Sequence, residues 1–233
     1  MNGIDISNWQ TNLILSNLDI EFCICKATEG NYFVDKFCDA FIQNCKSKGI
    51  LYGFYHFAGT GNPEEEAKFF YDNCTGYIGE GIPVLDYEVW GQNADDVSWC
   101  EGFITEFHAL SGVWPMLYIS ASHCMDFNRS GWIPQTCGLW VAGYPADYTS
   151  WTNDDIPYSI EPWEFAAIWQ FTSSLMLPGY AHALDGDIAY MDSKAWAKYA
   201  ASSSKHSANP VDKPSPEPEK KVISGRFTFE VDD

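Results

Sequence analysis

Apolar residues along this chain fall into short runs separated by polar, glycine-rich and proline-rich stretches. Gly3-Ile4-Asp5-Ile6-Ser7, Phe22-Cys23-Ile24-Cys25-Lys26-Ala27-Thr28 and Leu51-Tyr52-Gly53-Phe54-Tyr55-His56-Phe57 have the length and content of strands. Pro83 to Glu88, Met116 to Ser120, Leu139 to Tyr144 and Ala167 to Thr172 follow as four more, and Asp187 to Tyr190 as a short eighth. Between the early strands the period changes. Phe37, Phe41 and Cys45 recur at helical spacing from Asp35 to Lys48, and Gly49 ends that helix. Asn62 caps a second helix and Pro63 opens it, with Glu64, Glu65 and Glu66 in the first turn, where the helix dipole favours them. A third covers Ala94 to Leu110. Strands alternating with helices predict an α/β chain with a parallel sheet. Eight strands predict closure into an irregular (β/α) TIM-like barrel with fewer than eight helices, because the loop-rich stretch from Gly131 to Trp163 offers no full helix.

After Tyr199 the texture changes. Ser202-Ser203-Ser204 leads into Pro210, Pro214, Pro216 and Pro218, interleaved with charges, which suits a semi-rigid linker and no core. Residues 1–201 are therefore the barrel and 202–221 a linker. Residues 222–233 are a strand-like end that needs a partner sheet, either in another copy of the chain or in a binding or oligomerising element.

Composition narrows the function. With 32 acidic against 13 basic residues the formal charge is -19, which repels nucleic acid and gives no electrostatic hold on an anionic membrane. No apolar stretch reaches membrane-spanning length, and the N-terminus has neither a basic region nor an apolar run, so the chain is expected to be made in the cytoplasm without a secretory signal. The eight cysteines are then expected to be buried and reduced, and no Cys-x-x-Cys pairing offers a zinc site. Neither a metal nor a cofactor is expected. The acidic pairs Asp95-Asp96 and Asp154-Asp155 read as loop and helix-cap residues.

The candidate chemistry sits at the end of the fourth strand. Side chains alternate along a strand, so Asp86 and Glu88 point to the same side. Two carboxyls so close resist joint ionisation, and one can stay protonated near neutral pH. An acid beside a carboxylate is the equipment for cleaving a glycosidic bond. In a barrel, reacting groups collect at the C-terminal strand ends, where Asp5 also lies.

Six stretches in order, Gly3-Ile4-Asp5-Ile6-Ser7, Lys26-Ala27-Thr28-Glu29-Gly30, Gly53-Phe54-Tyr55-His56-Phe57, the Asp86/Glu88 strand, Leu139 to Tyr144 and Ile168-Trp169-Gln170, together resemble the glycoside hydrolase family 25 muramidases, the Chalaropsis-type lysozymes. The resemblance covers roughly residues 1–200. It implies a hydrolase that cuts the β-1,4 bond between N-acetylmuramic acid and N-acetylglucosamine in bacterial peptidoglycan, in the manner of a phage or prophage endolysin acting on the wall after release. It also implies Glu88 as general acid, Asp86 as the second carboxylate, and Asp5 as the acidic residue of the first strand. The family's last carboxylate maps to Asp187, with Asp185 as its competitor. Tyr55, Tyr118, Trp140, Tyr144 and Trp169 are aromatic candidates for sugar contact near strand ends, and Lys26 is a candidate for substrate or for a barrel carboxylate. His56, between two aromatics, reads as a core histidine. Two other readings are a barrel that binds glycan without cutting it and a different N-acetylhexosaminidase. The first has no need of an acid pair, and the second usually carries a longer acidic run before its glutamate.

A chain ending at Ala201 is expected to stay soluble and to hydrolyse soluble peptidoglycan fragments, while clearing whole cells more slowly than the full chain. Insolubility, or loss of fragment hydrolysis, would move the domain boundary into the tail.

Overall fold

The computed structural model describes residues 1–201. The proposed linker, the strand-like end and any self-association through it lie outside the described residues. Nine strands occur in the order β1 (Asn2–Ile6), β2 (Phe22–Glu29), β3 (Phe33–Val34), β4 (Leu51–Phe57), β5 (Ile82–Asp86), β6 (Met116–Ser120), β7 (Leu139–Ala142), β8 (Ile168–Leu175) and β9 (Leu184–Ala189). Eight of them close a ring, β1-β9-β8-β7-β6-β5-β4-β2, sealed by pairing of β1 with β2, and β3 hangs on β2 as a short antiparallel flap. Helices α1 (Cys38–Lys48), α2 (Pro63–Cys74), α3 (Asp96–Ser111), α4 (Ile133–Thr136) and α5 (Ser193–Ala201) are fewer than the strands, as the sequence predicts for an irregular barrel.

The uniformly parallel sheet needs one correction. β9 runs antiparallel to both β8 and β1. Only residues 176–183 join β8 to β9. A parallel return needs a crossover of a dozen residues or more, whereas a short connection can only turn the chain back. β9 therefore starts at the end of the barrel where the parallel strands finish and descends from there.

Local chemistry places the helices. Asn62 accepts a hydrogen bond from the Glu65 amide at 2.8 Å at the start of α2, and Asp95 does the same for the Ser98 amide at 3.0 Å before α3. Gly49 and Gly112 end α1 and α3 in the left-handed conformation. From β7 to β8 the chain has no helix and is pinned by single anchors. Trp163 donates its indole N–H to the Cys137 carbonyl at 3.0 Å, and Thr172 donates its hydroxyl to the Tyr148 carbonyl at 2.7 Å.

Two cores result from strand alternation. One lies between barrel and helices and holds Phe54, Phe70, Phe103, Phe107 and Trp169. The other fills the barrel, with Phe22, Ile24, Val84, Met116, Ile168 and Trp196. Trp196 on α5 closes the N-terminal end of the barrel, packing on Phe22 with ring centroids 5.1 Å apart and donating to the Tyr52 carbonyl at 3.2 Å. Gly3 makes this plug possible, because a Cβ there would stand 2.5 Å from the Phe22 ring. All eight cysteines are unpaired and buried.

In the outer core Glu66 is almost completely buried and accepts from the Gly59 and Gly61 amides at 2.7 and 2.9 Å. His56 is also buried, and its Nε2 meets Glu66 at 3.1 Å while Nδ1 meets the Thr28 hydroxyl at 2.8 Å. Burial holds the imidazole below its usual pKa. The neutral ring then donates from Nε2 and accepts at Nδ1, so every group is satisfied. Glu66→Ala leaves several buried donors without an acceptor and is expected to lower unfolding free energy in urea by about 3 kcal/mol or more, with a smaller loss for Glu66→Gln. A loss under about 1 kcal/mol for Glu66→Ala would show that the network does not hold the loop after β4.

Candidate active site

The C-terminal ends of the parallel strands carry a cluster of carboxyls. Asp86 is the last residue of β5. The chain continues in extended form past it, since the Tyr87 amide donates to the Tyr118 carbonyl at 3.0 Å. Tyr87 faces outward, where its hydroxyl donates to Asp96 at 2.6 Å. Asp86 and Glu88 consequently share the inner side. Asp86 is buried and Glu88 is exposed to the cleft.

Gln170 organises the floor. Its amide N–H donates to Asp5 at 2.6 Å, and its carbonyl accepts from the hydroxyls of Tyr118, at 2.8 Å, and Tyr144. Asp5 pairs across β1 and β9 with Asp185, and Gly3 with Asp187. Because β9 descends, Asp187 lies one layer deeper than Asp185. It is fully buried and accepts from the Trp140 indole N–H at 2.9 Å. Its Oδ2 is buried without a hydrogen-bond partner, and the Asp5 charge adds to the rise of its pKa.

Burial and mutual repulsion set the protonation. Asp5, Asp86 and Asp187 are held well above the ordinary carboxyl range, chiefly by burial and then by each other and by neighbours. Burial and the Glu88 charge push Asp185 up to about 6. Glu88 is raised as well, by burial, although Asp86 and Lys26 pull it back. The Glu88 charge adds to the rise of Asp86, whose Oδ1 is buried without a hydrogen-bond partner, so the two carboxyls do not readily ionise together.

Two cavities meet at Glu88. One, of about 330 Å³, is lined by Asp5, Asp86, Asp185, Gln170, Lys26, Tyr55, Trp140 and Trp9. The other, of about 500 Å³, is lined by Trp90, Ser120, Ser122, His123 and Gly143. Tyr118, Tyr144 and Glu88 border both. An acid at the waist of a long cleft, with further carboxyls on one side only, is equipped to protonate a bond in the middle of a chain-like substrate.

Comparison with known proteins agrees. The family model for glycosyl hydrolases family 25 matches residues 4–180. The chain is 30% identical over 206 residues to an N,O-diacetylmuramidase of Chalaropsis sp, covering 80% of this chain and 94% of that protein. The chain belongs to glycosyl hydrolase family 25. It also superposes on the muramidase of Trichobolus zukalii with TM-score 0.69 at 26% identity, covering 86% of this chain and 98% of that one. A lysozyme of Streptomyces coelicolor shares the fold with TM-score 0.71 at 22% identity, over 88% of this chain and 98% of that one. The family match stops at residue 180, before β9, so the roles of Asp185 and Asp187 rest on geometry.

The structure places some expected residues differently from the sequence reading. Asp187 neither opens a strand nor lines the cleft; Asp185 lines it, and no turn follows at Gly186. Trp169 faces the outer core and donates to the Gly143 carbonyl at 2.9 Å, because alternation along β8 gives the inner side to Gln170. Lys26 is tied to Glu29 at 2.6 Å and lies over the Phe57 ring at 4.7 Å. Gln170, Trp9, Trp90, Ser120, Ser122 and His123 are cleft residues that the sequence reading did not single out. Gln170 carried a signal as the end of the Ile168-Trp169-Gln170 stretch, and so did Trp9, lying four residues after Asp5 in a polar turn and 84% exposed. Among the described residues no group of three or more His, Cys, Asp or Glu is arranged to hold a metal ion, and no helix is long and apolar enough to cross a membrane.

The raised carboxyls determine the sign of the pH dependence. A carboxyl with a higher pKa folded than unfolded takes up protons on folding. Its contribution is full below its unfolded pKa, about 4, and is lost as pH rises through the folded value. Melting temperature is expected to fall from about pH 4 upward. Because the Asp185 carboxyl is pushed up to about 6, Asp185→Asn should reduce that fall and raise the melting temperature at pH 7 by roughly 2–4 °C. An unchanged slope in a calorimetric pH series would remove Asp185 from the repelling set.

Proposed function

We propose that this enzyme hydrolyses the β-1,4 bond between N-acetylmuramic acid and N-acetylglucosamine in bacterial peptidoglycan, with Glu88 as general acid and base and Asp86 as its partner. The observation that carries the reading is the pair of carboxyls at the waist of the cleft, Asp86 enclosed and Glu88 open to both cavities. Membership of a glycoside hydrolase family and the 30% identity to a muramidase supply the substrate class.

The chemistry follows from that pair. The muramoyl ring enters the carboxylate cavity with its acetamido N–H on Asp86. That donor stabilises the Asp86 anion and leaves the proton of the pair on Glu88. Glu88 passes the proton to the glycosidic oxygen as the C1–O bond breaks, and the acetamido oxygen closes on C1 from the other side. The departing sugar leaves as an alcohol. Glu88, now a carboxylate, takes a proton from water while the water oxygen attacks C1 and opens the cyclised group. One water is consumed, the anomeric configuration is retained, and Glu88 is again protonated. Asp5 and Asp185 stay beside the reacting sugar, and Asp187 lies one layer below them. A pure glycan binder gains nothing from holding these like charges together, because their repulsion only lowers its stability.

Glu88→Gln keeps size and hydrogen bonding but has no titratable proton. Clearing of purified walls is expected to fall by roughly two orders of magnitude or more. The products of the parent chain should carry N-acetylmuramic acid at their new reducing ends. Near-normal clearing by a folded Glu88→Gln chain, or N-acetylglucosamine at the new ends, would overturn the proposal.

A further inference from the structure

Beyond the reaction itself, the two cavities carry information about the direction in which glycan lies. They differ in chemistry. Asp5, Asp86 and Asp185 line the smaller cavity and are absent from the larger, where Glu88 is the one acid in the lining. The ring whose acetamido group reaches Asp86 keeps the reacting C1 carbon, so it must occupy the smaller cavity. Glu88 borders both cavities, and the oxygen it protonates joins the two rings on either side of it. The departing ring is thus left with the larger cavity.

That larger cavity has the features of a sugar site. The His123 imidazole lies flat on the Trp90 indole, with ring centroids 3.9 Å apart and planes 5° from parallel. Asp126 holds His123 Nδ1 at 2.9 Å, and Trp90 is braced edge-on by Tyr87 at 5.0 Å and Phe127 at 6.0 Å. The platform thus stands two residues past Glu88, packed edge-on by two further rings. Ser120 and Ser122, whose hydroxyls are 2.9 Å apart, supply donors and acceptors without net charge. An aromatic wall with neutral hydroxyls fits an uncharged N-acetylhexosamine.

We infer that the departing N-acetylglucosamine half of the glycan sits in the Trp90–His123–Ser122 cavity, so that the chain crosses Glu88 with one polarity and His123 determines recognition of the leaving group. This assignment rests on the roles proposed for Glu88 and Asp86.

A substrate pair separates the two halves. Soluble wall glycan has a departing sugar. The fluoride of the disaccharide that ends in N-acetylmuramic acid has a departing group of one atom. His123→Ala, and Ser122→Tyr, which fills the space from an exposed position, should each lower the ratio of kcat/KM on glycan to kcat/KM on fluoride about tenfold, the scale of one aromatic contact. An unchanged ratio in both variants, whether from no loss or from equal loss on the two substrates, overturns the assignment. So does failure of the parent chain to release fluoride. Normal turnover of both substrates by Asp86→Asn is a separate result. It overturns the carboxylate roles themselves and the polarity with them.

Discussion

Five carboxyls at the mouth of one narrow barrel repel one another, and most of the molecule's local design answers that constraint. Two like charges a few ångströms apart in a weakly screened interior cost several kcal/mol by order of magnitude. The barrel answers by leaving protons in place and by supplying donors. Gln170 gives its amide hydrogen to Asp5 and Trp140 gives its indole hydrogen to Asp187, while burial and the Glu88 charge hold the Asp86 carboxyl well above its ordinary range. The cluster is therefore less charged than its composition suggests. Its members differ in how firmly they hold their protons, and that difference separates an acid from its partner.

Holding such a cluster requires a frame that does not relax. The inner plug, from Gly3 and Phe22 to Trp196, closes the barrel below it. The His56–Glu66 network ties the end of β4 to α2 beside it. These parts never touch a substrate, yet they prevent the carboxyls from drifting apart to reduce their repulsion. Stability invested in the frame is spent again at the mouth, the usual exchange between rigidity and a strained site.

The sequence showed the barrel because eight apolar runs and three capped helices announce themselves locally. It did not show the direction of the last strand. A run of six residues reads the same in either sense, and only the short connection from β8 reveals the reversal. That single missing fact decides which of Asp185 and Asp187 lines the cleft, since depth in a barrel depends on which way the strand runs. Trp169 and Gln170 were open to the same ambiguity, because a one-residue choice of face moves a side chain from the cleft to the outer core. Asp86 and Glu88 were legible because they lie two residues apart on one strand. The Trp90–His123 stack was not, since it joins stretches separated by a helix and a strand, and nothing in either stretch points to the other.

The closure of the barrel floor by α5 has a bearing on how such a protein can be elaborated. The last described residue, Ala201, ends the helix that seals the face opposite the cleft. Ala201 therefore lies behind the cleft, out of the way of an incoming polymer. An engineer fusing a targeting unit to this barrel would choose that point of attachment, where the addition leaves the cutting machinery untouched.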